Sequence, residues 1–120
     1  MTLEDFMDQL AALASRYKDA CAEELVALSE ETQAEHLVAA SENGVLVHAY
    51  EAGFISGKNA EQRKLQSDEV LLKAPGYQMH LSQHNVVVLA RKAATMRRIG
   101  VENEWKMWRA WLAGQGGNDD

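Results

Sequence analysis

The sequence predicts an all-α fold, organised as a long antiparallel helical hairpin or small helical bundle with a short connecting helix. Apolar residues recur in steps of three and four along most of the 120 residues, which is the period of an amphipathic helix. The single proline, Pro75, and the glycines Gly53, Gly57 and Gly76 mark the main breaks between these segments. We therefore expect one helical domain over residues 1–113, with coiled-coil-type pairing, and a flexible tail at 114–120.

The first predicted helix begins after Thr2, a favourable N-cap, and carries one apolar stripe. The stripe consists of Leu3, Phe6, Leu10, Leu13, Tyr17, Cys21, Leu25 and Leu28. Its weak point is Gly44, because glycine costs a helix about 1 kcal/mol relative to alanine. The sequence leaves two alternatives open: a helix continuous to about Gly53, or one that kinks or restarts at Gly44.

The segment from Gly53 to Arg63 predicts a tight corner between helices. Asn59 has the side chain of an N-cap, and Gln62, three residues later, is its reciprocal partner. We expect Gly57 to take a backbone angle that other residues avoid. We also expect Arg63 to reach back to the carbonyl groups that end the first helix.

A phosphate site is the alternative interpretation of this corner, because a lysine and free backbone N–H groups meet at a helix start. The chain lacks the hydroxyl residue after Lys58 that a P-loop requires, and no strand precedes it. We therefore interpret the set as structural. Its members are Gly57, Lys58, Asn59, Gln62 and Arg63.

The second helix is expected to run from the Asn59 cap to Ala74, where Pro75 stops it, and the third to begin near Tyr77. Three consecutive valines at 86–88 suit a strand, but too few alternating residues flank them, so a helix is favoured. Near its end the third helix has one face expected to hold a partner, and Trp111 falls off that face. The face consists of Val101, Trp105, Trp108 and Leu112.

The corner also carries a resemblance. An aromatic residue, Tyr50, is followed by Gly53 and then by Ile-Ser-Gly-Lys-Asn-Ala-Glu-Gln-Arg at 55–63; Pro75-Gly76-Tyr77 and a long helix come next. This order resembles a family of small helical proteins of tailed bacteriophages, in which a long helix ends in an Ile-x-Gly-Lys-Asn-x-x-x-Arg turn. The resemblance covers residues 45–112 and implies a short helix, a returning tyrosine-led helix, and a location in the host cytoplasm. The valine triplet and three tryptophans depart from that family's returning helix, which is usually rich in alanine, glutamate and leucine.

Charge is distributed unevenly along the chain. Residues 1–53 carry eleven acidic side chains against Arg16 and Lys18, whereas residues 77–120 carry six basic against four acidic ones. We expect the two arms to neutralise each other when they pair antiparallel. The alternative is a nucleic-acid interface, since cations beside aromatic rings bind single strands. Its residues are Arg91, Lys92, Arg97, Arg98, Lys106 and Trp111. It is not favoured, because the sequence pI is about 5.2.

Catalytic and metal chemistry find little support in the sequence. His80 and His84 are four residues apart, as two zinc ligands would be, but nothing aligns further ligands with them. Cys21 lies on the apolar stripe, and no serine sits in a nucleophile elbow. We predict no enzymatic activity, no cofactor and no metal site. Without a signal-like or membrane-spanning segment, a cytoplasmic location is expected.

The partners are expected to be proteins. The third helix is shorter than the first, so the N-terminal arm with Leu3, Phe6 and Leu10 is expected to project and to pair in a homodimer. The resemblance suggests a phage accessory protein that acts by protein contact, in genome replication, recombination or host takeover, on a phage or host protein. The alternatives are a nucleic-acid-binding accessory factor and a virion assembly or scaffolding helper.

Overall fold

The computed structural model describes residues 1–117 and contains three α-helices there: α1 from Leu3 to Glu51, α2 from Ala60 to Leu72 and α3 from Pro75 to Gly117. No strand occurs within this range, so the predicted all-α hairpin is confirmed, including a helical valine triplet. Helix α3 includes residues 114–117, which were expected to belong to the tail. Residues 118–120 of that predicted tail lie outside the described range.

Helix α1 is continuous through Gly44, which decides between the two alternatives for this segment. Its first turn is closed by a reciprocal cap: the Asp5 N–H donates to Thr2 Oγ1 at 3.1 Å, and the Thr2 N–H donates to Asp5 Oδ2 at 3.2 Å. Its last turn ends at Gly53, whose φ is +82°. The Phe54 N–H reaches the Ala49 carbonyl at 2.9 Å, the bond of a Schellman motif.

Helix α3 begins two residues earlier than expected, at Pro75. Proline suits the first helical position because the N–H it lacks would have no intrahelical partner there. Gln78 then joins the two helices. Its backbone N–H donates to the Ala74 carbonyl at 3.0 Å, and its side-chain amide donates to the Leu71 carbonyl at 3.0 Å. One residue thus starts α3 and satisfies a carbonyl at the end of α2.

The chain divides into two compact units, one formed by Met1–Leu28 with Ala90–Asp120 and the other by Ser29–Leu89. In the first unit, α1 and α3 run antiparallel, since Phe6 lies against Trp108 while Glu24 lies against Arg98. The Phe6 ring centroid is 5.9 Å from that of Trp108 and 5.4 Å from that of Trp111. These aromatic rings cover the start of α1.

Two expectations about this end of the chain are therefore wrong. The N-terminal arm does not project, because α3 extends to Gly117 and Phe6 and Leu13 are buried. Trp111 packs on Phe6 instead of lying off the contact face, whereas Trp105 and Leu112 are exposed. The tryptophan that was expected to be free is the one that closes the cluster.

The apolar stripe predicted for α1 is correct only at its start. The buried residues in the first unit are Phe6, Leu13, Ala20 and Ala27, one every seven residues. Leu25 and Leu28, which were expected on the stripe, are exposed. The predicted stripe advances about 3.6 residues per turn, while the real contact advances 3.5, so the two diverge along the helix.

The second unit contains the end of α1, the corner, α2 and the start of α3. Ala49 and Ile55 are its buried apolar residues. Helix α2 buries none of its residues, and Val70 and Leu71 are half-buried. Because α2 contributes so little apolar burial, hydrogen bonds at the corner carry much of its placement.

Candidate functional site

The corner is held by side chains of α2 that accept hydrogen bonds from the loop before it. Asn59 is the N-cap, as predicted, and its side chain accepts the Gln62 N–H at 2.8 Å. Gln62 reciprocates one residue earlier than expected, because its Oε1 accepts the Lys58 N–H at 3.0 Å. The predicted cap is therefore confirmed, with a wider reciprocal bond than the usual capping box.

Gln66 is the corner residue that the sequence did not indicate. Its Oε1 accepts both the Ser56 N–H at 3.0 Å and the Gly57 N–H at 2.9 Å. A glutamine in the second turn of a helix has no distinctive spacing from the loop, so no local signal identifies it. Through this single oxygen, α2 fixes two consecutive peptide groups of the loop.

Gly57 is required for a different reason from the one expected. Among the described residues the glycine with positive φ is Gly53, so Gly57 is not held in a left-handed conformation. A Cβ added at Gly57 would instead lie 2.7 Å from the Gln62 Cβ and 3.0 Å from the Arg63 backbone nitrogen. Close approach of the loop to α2 thus demands glycine here.

Arg63 does not reach the end of α1 either. Its guanidinium donates to the Gly57 carbonyl at 3.2 Å, inside the corner itself. The loop N–H groups of Ser56, Gly57 and Lys58 already have protein acceptors. The chemistry available to a phosphate at this helix start is therefore spent on closing the corner, which supports the structural interpretation of the set.

The basic residues of α3 meet acidic residues of α1 in the first unit. Arg97 Nε lies 2.9 Å from Glu23 Oε2, and Arg98 Nε lies 2.8 Å from Glu24 Oε1. Arg98 also contacts Glu102, one turn further along α3, at 2.6 Å. These pairs are the neutralisation of the two arms that the charge distribution predicts.

One pair in the same unit runs in the opposite sense, with the base on α1. Arg16 makes two parallel bonds to Glu104, at 2.9 Å and 2.8 Å, the bidentate geometry in which arginine recognises a carboxylate. Its hydrogen bond lowers the pKa of Glu104. The charge pattern therefore fixes which residues of the two helices face one another.

Glu24 is the least exposed carboxylate in these ion pairs, with a side chain that is 17% accessible. Hydrogen bonds from Thr95 and then Arg98 lower its pKa, and the charge of Arg91 acts in the same direction. The charged form of Glu24 is thus stabilised by α3 alone. Residues at the helix contact, where apolar side chains are usual, are here a carboxylate and a guanidinium.

The residue set predicted for nucleic acid is not assembled as one free surface. Arg97 and Arg98 are in ion pairs, and Trp111 is stacked on Phe6. Lys92 and Lys106 are exposed and make no ion pair with any residue in the described range. Two separated lysines remain of the predicted basic stripe.

His80 and His84 lie in the second unit. The His80 Nδ1 and His84 Nε2 atoms are buried without a hydrogen-bond partner, and His84 Nε2 is 4.0 Å from Glu35 Oε1. Between residues 1 and 117, no group of three or more histidine, cysteine, aspartate or glutamate side chains is placed to hold a metal ion.

A shallow groove of about 450 Å³ lies on the second unit between α1 and α3. Its lining contains no charged residue and consists of Ala34, Leu37, Ser82, Gln83, Val86 and Val87. Leu37 and Val86 are more than half exposed, at 53% and 67%. The groove is thus an apolar surface that water covers in the isolated chain.

Comparison with protein-family models, with curated proteins and with solved structures found no match to this chain. None of the helices, as far as they are described, combines the length and apolar character that crossing a membrane requires.

Proposed function

We propose that the protein is a small phage-encoded accessory protein that acts by binding another protein, without catalysing a reaction. The observation that carries the proposal is the uncharged groove of the second unit, where Leu37 and Val86 are exposed side by side. Exposed apolar surface of this kind is costly for a soluble helix pair unless a partner covers it. The phage origin rests on the resemblance of the corner sequence at 50–63.

The partner that fits the groove is an amphipathic helix with an apolar, uncharged face. Two parallel ridges of helical side chains, one from α1 and one from α3, form a channel into which a third helix can pack. Because the groove lacks charge, it offers no counterpart for a basic or acidic segment. Specificity for such a helix would come from the fit of its side chains around Leu37 and Val86.

A photo-crosslinking amino acid at Gln83, inside the groove, tests the proposal. In a lysate of the bacterial host we expect one discrete adduct with a protein of another mass. Leu37→Glu should abolish that adduct, because it places a charge in the groove, whereas Leu65→Glu on α2 should leave it intact. Leu65 is a matched control, since it is 66% exposed and distant in sequence from the groove residues. Equal adducts in both variants, or none in the parent chain, would contradict the proposal.

A further inference from the structure

Helix α3 carries a second row of uncharged residues, which we call the outer seam. They recur in steps of four and three and are Met79, Ser82, Val86, Leu89, Ala93, Met96, Gly100, Asn103, Met107 and Ala110. All are exposed, and the largest are among the most exposed apolar residues of the chain: Leu89 at 66%, Met96 at 64% and Met107 at 70%. Charged residues form 25% of the sequence, yet none lies on this row.

The outer seam is distinct from the contact of α3 with α1. Ala94 and Arg98 face α1, since Ala94 is buried and Arg98 bonds Glu24. Met96 lies two residues from each of them and so points to roughly the opposite side of the helix. Solvated helix faces normally carry lysine and glutamate, so a row without them, at the spacing of a helix contact, indicates a surface that is covered.

The spacing suits a helix as the covering element. Both rows of the seam repeat every seven residues, and this repeat keeps two helices in contact over their whole length. From Met79 to Ala110 the seam extends about 46 Å at 1.5 Å per residue. An isolated patch of a few residues would not need this regularity.

The side chains of the seam are complementary in size to the seam itself. When two copies of α3 lie antiparallel about an axis between Ala93 and Met96, larger residues meet smaller ones in every layer. The facing pairs are Met79 with Ala110, Ser82 with Met107, Val86 with Asn103, Leu89 with Gly100, and Ala93 with Met96. Alternation of large and small residues lets two helices interdigitate closely.

The charges beside the seam also distinguish the two possible orientations. In the antiparallel arrangement Lys92 lies beside Ile99 of the second copy, and Lys106 beside Asn85, so no like charges meet. In a parallel arrangement Lys92 would lie beside Arg97 of the second copy, twice in each dimer. Like charges in such positions oppose pairing.

We propose that the occupant of the outer seam is a second copy of this chain, so that the protein is a homodimer joined by antiparallel α3 helices. The proposal goes beyond the protein-binding function above, because it assigns a different surface. In this dimer α1 lies on the inner side of each α3, and the N-terminal arms take no part. The contact is isologous, as closed two-fold symmetry requires.

Light scattering on purified variants tests the interface. The full chain should have twice the 13.3 kDa mass of one chain. Leu89→Glu and Met96→Glu should each give a folded monomer, because these side chains are exposed within one chain and a charge at either position breaks the seam. The controls are Leu65→Glu on α2 and Leu25→Glu on α1, which are equally exposed and should remain dimeric. A monomeric parent chain, or dissociation by Leu25→Glu but not by Leu89→Glu, would overturn the proposal.

Disulfide trapping tests the orientation. In a Cys21→Ala background, Ser82→Cys chains are mixed with size-tagged Met107→Cys chains under oxidised glutathione. Antiparallel pairing places these two positions together, so a mixed disulfide should dominate. Disulfides only between identical chains would show a parallel contact and overturn the proposal. The groove adduct at Gln83 is measured on the Met96→Glu monomer as well, so that loss of the dimer and loss of the partner are separate results.

Discussion

At the scale of single residues, Gly57 and Gly44 make opposite demands on the same kind of side chain. Gly57→Ala should destabilise the protein by about 1–3 kcal/mol, because the new Cβ would lie 2.7 Å from the Gln62 Cβ and the loop would have to move. Gly44→Ala should stabilise it by roughly 0.5–1 kcal/mol, since this helical position is open and alanine has the better propensity.

Urea denaturation of both variants and the parent chain measures the two changes. A Gly57→Ala variant as stable as the parent would mean that the loop is not packed on α2 as described. Because both substitutions add the same methyl group, the difference between them reports the surroundings of each glycine and not the chemistry of the change.

The sequence was most informative about the corner where a side chain bonds its own local backbone. Asn59 and Gln62 follow a capping pattern with a fixed spacing, so both were predictable. Gln66 was not, because its bonds to Ser56 and Gly57 depend on the angle at which α2 leaves the loop. The reason for Gly57 was missed for the same cause: close approach is a property of two segments, whereas backbone angle belongs to one.

At the scale of the helices, ion pairs specify how α1 and α3 face each other. Hydrogen bonds from Thr95 and Arg98 lower the pKa of Glu24 below its ordinary value of 4.5. The stabilisation from Glu24 is therefore complete above pH 4.5 and is lost as the pH falls through the lowered value. We expect the free energy of unfolding to decrease with acidification in this window.

The Glu24→Gln and Thr95→Val variants test this pH dependence by urea denaturation at several pH values. Glu24→Gln should be less stable at neutral pH and should lose less on acidification, because its amide does not titrate. Thr95→Val removes the larger of the two causes and should also flatten the profile. Profiles identical to the parent in both variants would show that Glu24 contributes nothing to the pH dependence.

The helices themselves were predicted well, and their contact was not. Caps and breakers such as Thr2, Gly53 and Pro75 act within one segment, so the ends of α1 and α3 were close to the expected ones. The contact face was harder, because Leu25 and Ala27 are both plausible on a helical wheel. Only the partner helix decides between a stripe of larger leucines and a seam of alanines that allows close approach.

At the scale of the whole molecule, the balance of charge bears on nucleic acid. The chain has a formal net charge of −6, and Arg97 and Arg98 are already in ion pairs. We expect no measurable binding of single-stranded DNA at about physiological salt and no quenching of tryptophan fluorescence on its addition. Quenching that weakens with added salt, and that disappears in Lys92→Ala with Lys106→Ala, would instead support the nucleic-acid alternative.

The ion pairs between α1 and α3 also make the molecule divisible. Arg16, Glu23 and Glu24 belong to one helix, and their counterparts Glu104, Arg97 and Arg98 belong to the other. A chain cut in the corner would therefore yield two fragments, each carrying a charge code that the other reads. Exchanging the signs within all three pairs would give a second set of fragments that reassemble with each other and reject the original set. The hairpin thus contains the elements of an orthogonal split protein.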